Sequence, residues 1–422
     1  MKRPPEEFAM SRLVRLMLFV PAMISAASVV YSQQASFEDV VRNLRNPDQK
    51  IRINAVRLLR ESGYSEAIVP MAPLVNDPVN DIQLEALAAE LAFYLIEPIS
   101  AKKHVALVVE VRADSLAPMA FAAGPLAVWP RMAPPELIDA LLTAIDDDNK
   151  KVRLEAIYTL GTVAAAAAKP LPPASIERLL KALDHYDPAV RAGAAQVIGR
   201  LRIASASDAL LKAVNDSTSP VRFAAIRALG QIKDERSIDA LGKQLLYYEK
   251  GDGALAALHA LALIGHPSSV PMFQGYLMNK DARLRMTAAE GLARAGSREL
   301  VEPFVLSANQ DESEAVRAAM IFALHKQGYA NYLARLVDFM DNDDSAMQIQ
   351  GYLLELGPGI VPGVVPRLQE PDEGVREHLA AVLGALGDQS TVPVLTRLKN
   401  DPDGDVARAA THAIERIGMT QK

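Results

Sequence analysis

One short pattern returns along almost the whole chain. An aspartate in a turn is followed, within about six residues, by an aliphatic residue and Arg; Ala and then Leu or Ile come four and eight places past that aliphatic, often with Gly next. Val152-Arg153, Ala156, Leu160 and Gly161 carry it, as do Val190-Arg191, Ala194, Ile198 and Gly199, and Val221-Arg222, Ala225, Leu229 and Gly230. A motif repeating at a period of roughly 20 to 50 residues builds a stack of small units, each buried only against its neighbours, rather than one globular core.

With the aliphatic residue as anchor, the series runs Ile51, Ile82, Val152, Val190, Val221, Ala256, Leu284, Val316, Met347, Val375 and Val406. The intervals lie between 28 and 38 residues except for one of 70, which Leu116, with Ala120 and Gly124 at the expected offsets, divides into 34 and 36. About twelve units are therefore expected between Ser36 and the C-terminus. At 3.6 residues per turn, offsets 0, 4, 7 and 8 share one narrow face, so each anchor opens a helix that buries that face. The preceding Asp is the expected N-cap, with Pro at the first helical position in Asp77-Pro78, Asp187-Pro188 and Asp401-Pro402. A second amphipathic stretch, such as Ser175 to Leu183, fills the rest of each unit. The fold expected is an all-α, right-handed α-solenoid of helix pairs, one elongated domain over residues 36–422.

These units resemble HEAT repeats, in particular the short HEAT-like repeats of phycobilin lyase subunits and many bacterial scaffold proteins. The turn Asp and the aliphatic-Arg pairs at Ile51-Arg52, Val152-Arg153, Val190-Arg191, Val221-Arg222, Leu284-Arg285, Val316-Arg317 and Val375-Arg376 carry the resemblance. Four units depart from it, with Gln83, Ala257, Gln348 and Ala407 in place of Arg. The resemblance implies a solenoid and leaves function open, because the family spans scaffolds, adaptors and a few enzymes. Arginines at one offset in successive helices are expected to form a ladder, bonding turn aspartates and carbonyls of neighbouring units.

The N-terminus has a different character. Arg12 and Arg15 precede Leu16 to Val30, fifteen residues without a charge, and Val30-Tyr31-Ser32 offers small or permissive residues before Gln33. Residues 1–32 are read as a secretory signal peptide, with Met10 as an alternative start; fifteen apolar residues are short for a membrane span, an uncleaved anchor being the competing reading. Export gives the absence of cysteine a meaning: no disulfide, thiol nucleophile or lipid-attachment cysteine exists in this chain. The expected location is a bacterial periplasm or the outside of the cell. Without residues 1–32 the chain has 41 basic and 49 acidic residues, a balance unsuited to gripping phosphate backbones. Neither nucleic acid nor an anionic membrane surface is an expected partner.

No catalytic or metal-ligating set stands out. The seven histidines, His104, His185, His259, His266, His325, His378 and His412, include no His-Glu dipeptide of the kind used by HEAT-like di-iron hydroxylases, and no HExxH spacing. Asp401 to Asp405 alternates carboxylates like a calcium loop, but Val406 and His412 stand where Gly and Glu are required. No catalytic residue, metal or cofactor is expected. Offsets 2 and 6 lie about 200° and 240° from the anchor, by the 100° step per residue, and should face the groove. They supply Leu154 and Tyr158, Phe223 and Arg227, Met286 and Glu290, and Phe322 as candidate partner contacts, with packing on the adjacent unit as the alternative. Trp129, in a proline-rich irregular stretch at about 98–135, is the eighth candidate; that stretch is read as a worn repeat. The function expected is a non-enzymatic, exported scaffold holding a protein or peptide partner along its concave face. The alternative is an enzyme subunit or cofactor-handling protein similar to the phycobilin lyase subunits.

Overall fold

The computed structural model describes residues 36–98, 115–167, 169–296, 298–303 and 310–420. The expected signal segment and Met10 lie outside them, as do residues 99–114 of the irregular stretch. The described chain is an α-solenoid of helix pairs. The second helices of the units, together with one inserted helix, are α1 (Gln49–Ser62), α2 (Asn80–Ala92), α3 (Leu116–Ala123), α4 (Lys150–Ala166), α5 (Pro188–Arg200), α6 (Ser219–Ile232), α7 (Gly251–Ile264), α8 (Ala282–Ala295), α9 (Glu314–Lys326), α10 (Asp343–Leu356), α11 (Glu373–Leu386) and α12 (Gly404–Met419). First helices are shorter and often begin as a single 3-10 turn, as at Ser65–Ala67, Ala204–Ala206, Glu235–Ser237 and Gln389–Thr391.

The predicted stripe is buried. Ile82, Val152, Val190, Val221, Ala256, Leu284, Val316, Val375 and Val406 are all buried anchors. Two anchors are not: Ile51 is 40% exposed in the first unit, and Met347 is 48% exposed because Ala346, Ile349, Tyr352 and Leu353 form the buried face of α10 instead. Asp187, Asp281 and Asp403 are N-caps, accepting backbone N–H bonds at 2.9 Å from Ala189, Arg283 and Asp405. Asp77 and Asp401, expected as caps, sit two residues before the cap and accept from the N–H of Val79 and Asp403 instead.

That displacement frees those carboxylates for the ladder. Arg52, Arg191, Arg285 and Arg376 each make a two-pronged pair with Asp77, Asp216, Asp311 and Asp401 of the next unit, at 2.8 to 3.0 Å. The remaining Nη1 of each donates to two carbonyls of its own turn, for example His185 and Tyr186 under Arg191. Planar guanidinium and planar carboxylate match at both prongs, so each rung fixes the stacking register. Arg153 reaches Asp187 at 2.6 Å, and Arg222 finds the Tyr248 hydroxyl at 2.7 Å where an Asp would otherwise stand.

The ladder also locates an interruption. Gln83 Nε2 donates to Asp147 at 2.7 Å, and Asn76 to the carbonyl of Ala140 at 3.0 Å, both across 64 residues where the Arg52–Asp77 step spans 25. Helix α2 stacks directly on α4. The described residues between α2 and the helix Pro135–Ala144 are thus an insertion into the solenoid, not a worn repeat, and eleven second helices stack among the described residues, against the twelve units expected. Leu116 is half-buried and anchors no unit. The insertion is pinned at its base by an isolated antiparallel bridge between Leu95 and Val128. Ile96 N–H donates to Ala127 at 3.0 Å and Trp129 N–H to Tyr94 at 2.8 Å.

Successive second helices approach closely. A Cβ on Gly199, Gly230 or Gly384 would stand 2.5 to 2.6 Å from the Cα of Ala228, Ala260 or Ala413 on the following second helix. First helices meet one another more sparsely. The layer of second helices therefore lies on the inside of the curve.

Candidate partner-binding face

Offsets 2, 6 and 10 of each second helix form the inner face, and contacts between units that are not neighbours identify it. Glu290 (offset 6 of α8) accepts a 2.6 Å bond from the Tyr352 hydroxyl 62 residues away, and Arg294 (offset 10) pairs with Glu355 at 2.8 Å across 61. Such bonds span two unit steps, which only the shorter inner radius allows.

The inner face is built in three parts. Around α8, α9 and α10, the rings of Phe322 and Tyr352 stack at 4.3 Å and 10°. Arg294 and Lys326 lie over Phe322 at 5.7 and 5.5 Å. Lys326 Nζ bonds Glu355 at 2.7 Å, and Gln348 donates to the Tyr352 hydroxyl at 2.7 Å. Burial raises the Glu355 carboxyl, but the bonds and charges of Arg294 and Lys326 outweigh it and hold the group at about 2. Burial, and then the neighbouring Glu290 charge, push the Tyr352 phenol far above its ordinary range. Two cations face two carboxylates here, and the network is closed.

The second part lies at the insertion. Helix α3 packs across α4, its Phe121 ring 5.4 Å from Tyr158, and the Ala117 N–H donates to Glu155 at 3.0 Å. Arg200, at offset 10 of α5, lies over the Phe121 ring with its guanidinium 3.7 Å from the centroid. Gln196 and Arg227, at offset 6 of α5 and α6, are half-buried beside Tyr158, and His259 of α7 follows. Burial is the main cause that lowers Arg200, to about 10, and also lowers Arg227 and His259.

In the third part the insertion reaches the last unit. Arg408, His412 and Arg416 are offsets 2, 6 and 10 of α12. Arg408 pairs with Glu97 at 2.6 Å, Arg416 donates to the Val128 carbonyl at 3.0 Å, and Trp129 meets His412 edge-on at 5.5 Å. The insertion is thereby clasped to the last unit of the solenoid.

The candidates are less exposed than a partner face requires, and the expected alternative, packing on adjacent groups, describes several of them. Tyr158, Glu290 and Phe322 are buried, and Leu154, Phe223, Arg227, Met286 and Trp129 are half-buried. The reason is that the chain fills its own groove: α3 covers Tyr158, Tyr352 covers Phe322, and Phe223 packs on Tyr248 at 5.4 Å. Leu154 and Met286 pack against the core. Tyr158 and Arg227 come together, as do Glu290 and Phe322 through Arg294 and Tyr352; the offset-2 residues join neither group. Sequence reasoning missed Phe121, Gln196, Arg200, His259, Arg294 and Lys326. Offset 10 was the available signal, since it places Arg200, Arg294, Lys326 and Arg416 in line. Among the described residues, no group of three or more His, Asp or Glu is placed to hold a metal ion, and no helix is long and apolar enough to cross a membrane.

Comparison with known proteins agrees with this architecture. A family model described as HEAT repeats matches residues 176–252 and 361–422. Deoxyhypusine hydroxylase of Drosophila melanogaster is 23% identical over 243 residues, covering 50% of this chain and 80% of that protein. Among solved structures, an engineered protein is 19% identical with a TM-score of 0.39, covering 90% of this chain and 98% of its own. The complex of CpcE and CpcF of phycocyanin lyase from Nostoc is 17% identical with a TM-score of 0.36, covering 75% and 98%. Human deoxyhypusine hydroxylase is 18% identical with a TM-score of 0.28, covering 67% and 96%. The family's helix pairs are matched in two separate stretches, and the same turn, ladder and glycine contacts recur between them, so the chain carries HEAT repeats within an α-solenoid.

Proposed function

We propose that this chain is an exported, non-catalytic scaffold whose inner face, from α5 to α7, receives a protein or peptide partner. One observation carries the reading: the inner face is saturated by the chain's own groups at α8 to α10 and at the clasp, whereas Arg200 and Arg227 are half-buried with no hydrogen-bond or ion-pair partner among the described residues, and Gln196 beside them bonds only Tyr158. A stacked array of rigid helix pairs suits display over a long surface, where modest contacts sum. Export rests on the charge-free run from Leu16 to Val30 behind Arg12 and Arg15.

The test is site-specific photocrosslinking in the exporting cell. A photoreactive residue at Gln196 or Gln231 is expected to give a discrete adduct, and one at Glu177, exposed on a first helix, none. Equal labelling from both faces overturns the inner-face assignment. A stoichiometric chromophore or metal in the purified protein overturns the pure scaffold reading in favour of a cofactor-handling protein.

A further inference from the structure

The inner face contains two networks of opposite character. At α8 to α10 each cation has a carboxylate: Arg294 pairs with Glu355 and Glu290, and Lys326 with Glu355. At α5 to α7 the cations have none. Arg200 has an aromatic ring on one side and no hydrogen-bond acceptor among the described residues; Arg227 has neither ion pair nor hydrogen bond among them. The carboxylates that act on this region are committed elsewhere. Asp252, whose charge Arg227 feels, is exposed and paired with Arg283 at 3.1 Å. Glu290, which acts on His259, is held by Tyr352 and Arg294.

A guanidinium carries five N–H donors in a fixed fork, and those of Arg200 and Arg227 find no acceptor in the described chain while staying open to solvent. Nothing in the stacking of the units requires them there: the ladder position of α5 is Arg191 and that of α6 is Arg222, both already bonded at the opposite end of their helices. Polar groups that neither support the fold nor find partners within it are the residues a ligand completes. Around them stand a neutral amide, Gln196, and a phenol, Tyr158, bonded to each other, and the amide has a second N–H to give to an oxyanion. His259, its charged form disfavoured mainly by burial, adds a further N–H.

We infer that Arg200 and Arg227, with Gln196, Tyr158 and His259 around them, form an oxyanion-binding site on the inner face, taking a carboxylate of an acidic segment in the partner. The site rests on the scaffold reading for the source of that carboxylate, but not for its chemistry. Arg200 lies over Phe121 and Arg227 acts on Tyr158, the other ring of that pair, and a guanidinium suits a planar, two-oxygen group, which it meets prong for prong. The chain's own net charge of −6 makes such a cationic recess a local exception, so an acidic segment is attracted here and repelled elsewhere.

Isothermal titration on the full chain tests this with three probes: inorganic phosphate, glutarate and a glutamate-rich octapeptide. Saturable binding that weakens at least tenfold in Arg227→Met and in Arg200→Met, and is unchanged in Arg178→Gln on a first helix, is the expected result. The octapeptide is expected to bind more tightly than either small anion. If a small anion binds as tightly as the peptide, with the same dependence on both arginines, the site stands and the peptide-partner reading falls. If no probe binds saturably, or binding survives both arginine changes, the site is refuted. Thermal unfolding of Arg227→Met without ligand keeps a folding defect from mimicking either outcome. A ligand-binding arginine, unmet in the free chain, is replaced by Met with the melting temperature unchanged or raised; a drop of many degrees marks Arg227 as a packing residue and also refutes the site.

Discussion

Replacing Asp216 by Asn tests whether the ladder is an energetic element or only a recurring geometry. Asp216 accepts from Arg191 Nε at 2.9 Å and Nη2 at 3.0 Å, and from the Thr218 N–H and hydroxyl at 2.8 and 2.9 Å. Burial works to raise its carboxyl. The Arg191 bonds, the Thr218 bonds and the Arg191 charge outweigh burial and hold it at about 2, against an ordinary 3.8. At 1.36 kcal/mol per pH unit, the drop is worth roughly 2.4 kcal/mol at neutral pH. The side chain is 14% exposed, so water screens little of this. Because the folded value is depressed, the contribution is complete above the ordinary value and is lost as pH falls from about 4 to about 2.

In a stack, that energy belongs to one interface. Hydrogen exchange is the suitable assay, because a single unfolding midpoint need not describe a repeat array. In Asp216→Asn at pH 7, amides of residues 188–232 are expected to exchange about tenfold to a hundredfold faster, for a loss of roughly 2 kcal/mol. Those of residues 373–420 should be unchanged. Lowering the pH toward 2 should bring wild type and variant together. Unchanged exchange at residues 188–232, or acceleration spread evenly over the chain, refutes the reasoning.

Gly230→Ala places a Cβ 2.5 Å from the Cα of Ala260, a backbone atom that cannot yield, and is expected to cost about 1 to 3 kcal/mol by denaturant unfolding. Ala260→Gly should not rescue it. Glu90 is wholly buried at offset 8, where other units have Leu160, Ile198 and Leu229, and its two carboxyl oxygens have no partner among the described residues. Desolvation raises this carboxyl well above its ordinary value, so Glu90→Leu should stabilise the chain, with a gain that grows as pH rises above about 4.5. Equal gain at pH 4 and pH 8 contradicts that account. In the exported fraction, mass spectrometry is expected to find a mature N-terminus near Gln33; an intact Met1 or Met10 contradicts cleavage.

The architecture was legible because the residues that set it are periodic. Val190, Ala194 and Ile198 bury one stripe, Gly199 permits the approach of Ala228, and Arg191 reaches Asp216, all from one recurring phrase. The insertion was misread for a related reason. Leu116, Ala120 and Gly124 imitate the offsets, yet periodicity says nothing about which helix stacks on which, and the Gln83–Asp147 and Asn76–Ala140 bonds reveal that α2 skips to α4. The inner face was half legible. Offset geometry gave the direction of Tyr158, Arg227 and Phe322, but their burial depends on Phe121 and Tyr352, contributed by segments whose placement follows from curvature and not from local pattern.

The clasp changes how this molecule bears a load. An open solenoid pulled from its ends lengthens as a soft spring, each unit rotating a little on the next. Here Glu97 and Val128, beside the second unit, hold Arg408 and Arg416 of the last. Tension applied at the C-terminus therefore passes through that fastening before it reaches the stack. The spring is fastened shut, and its compliance appears only after that fastening opens.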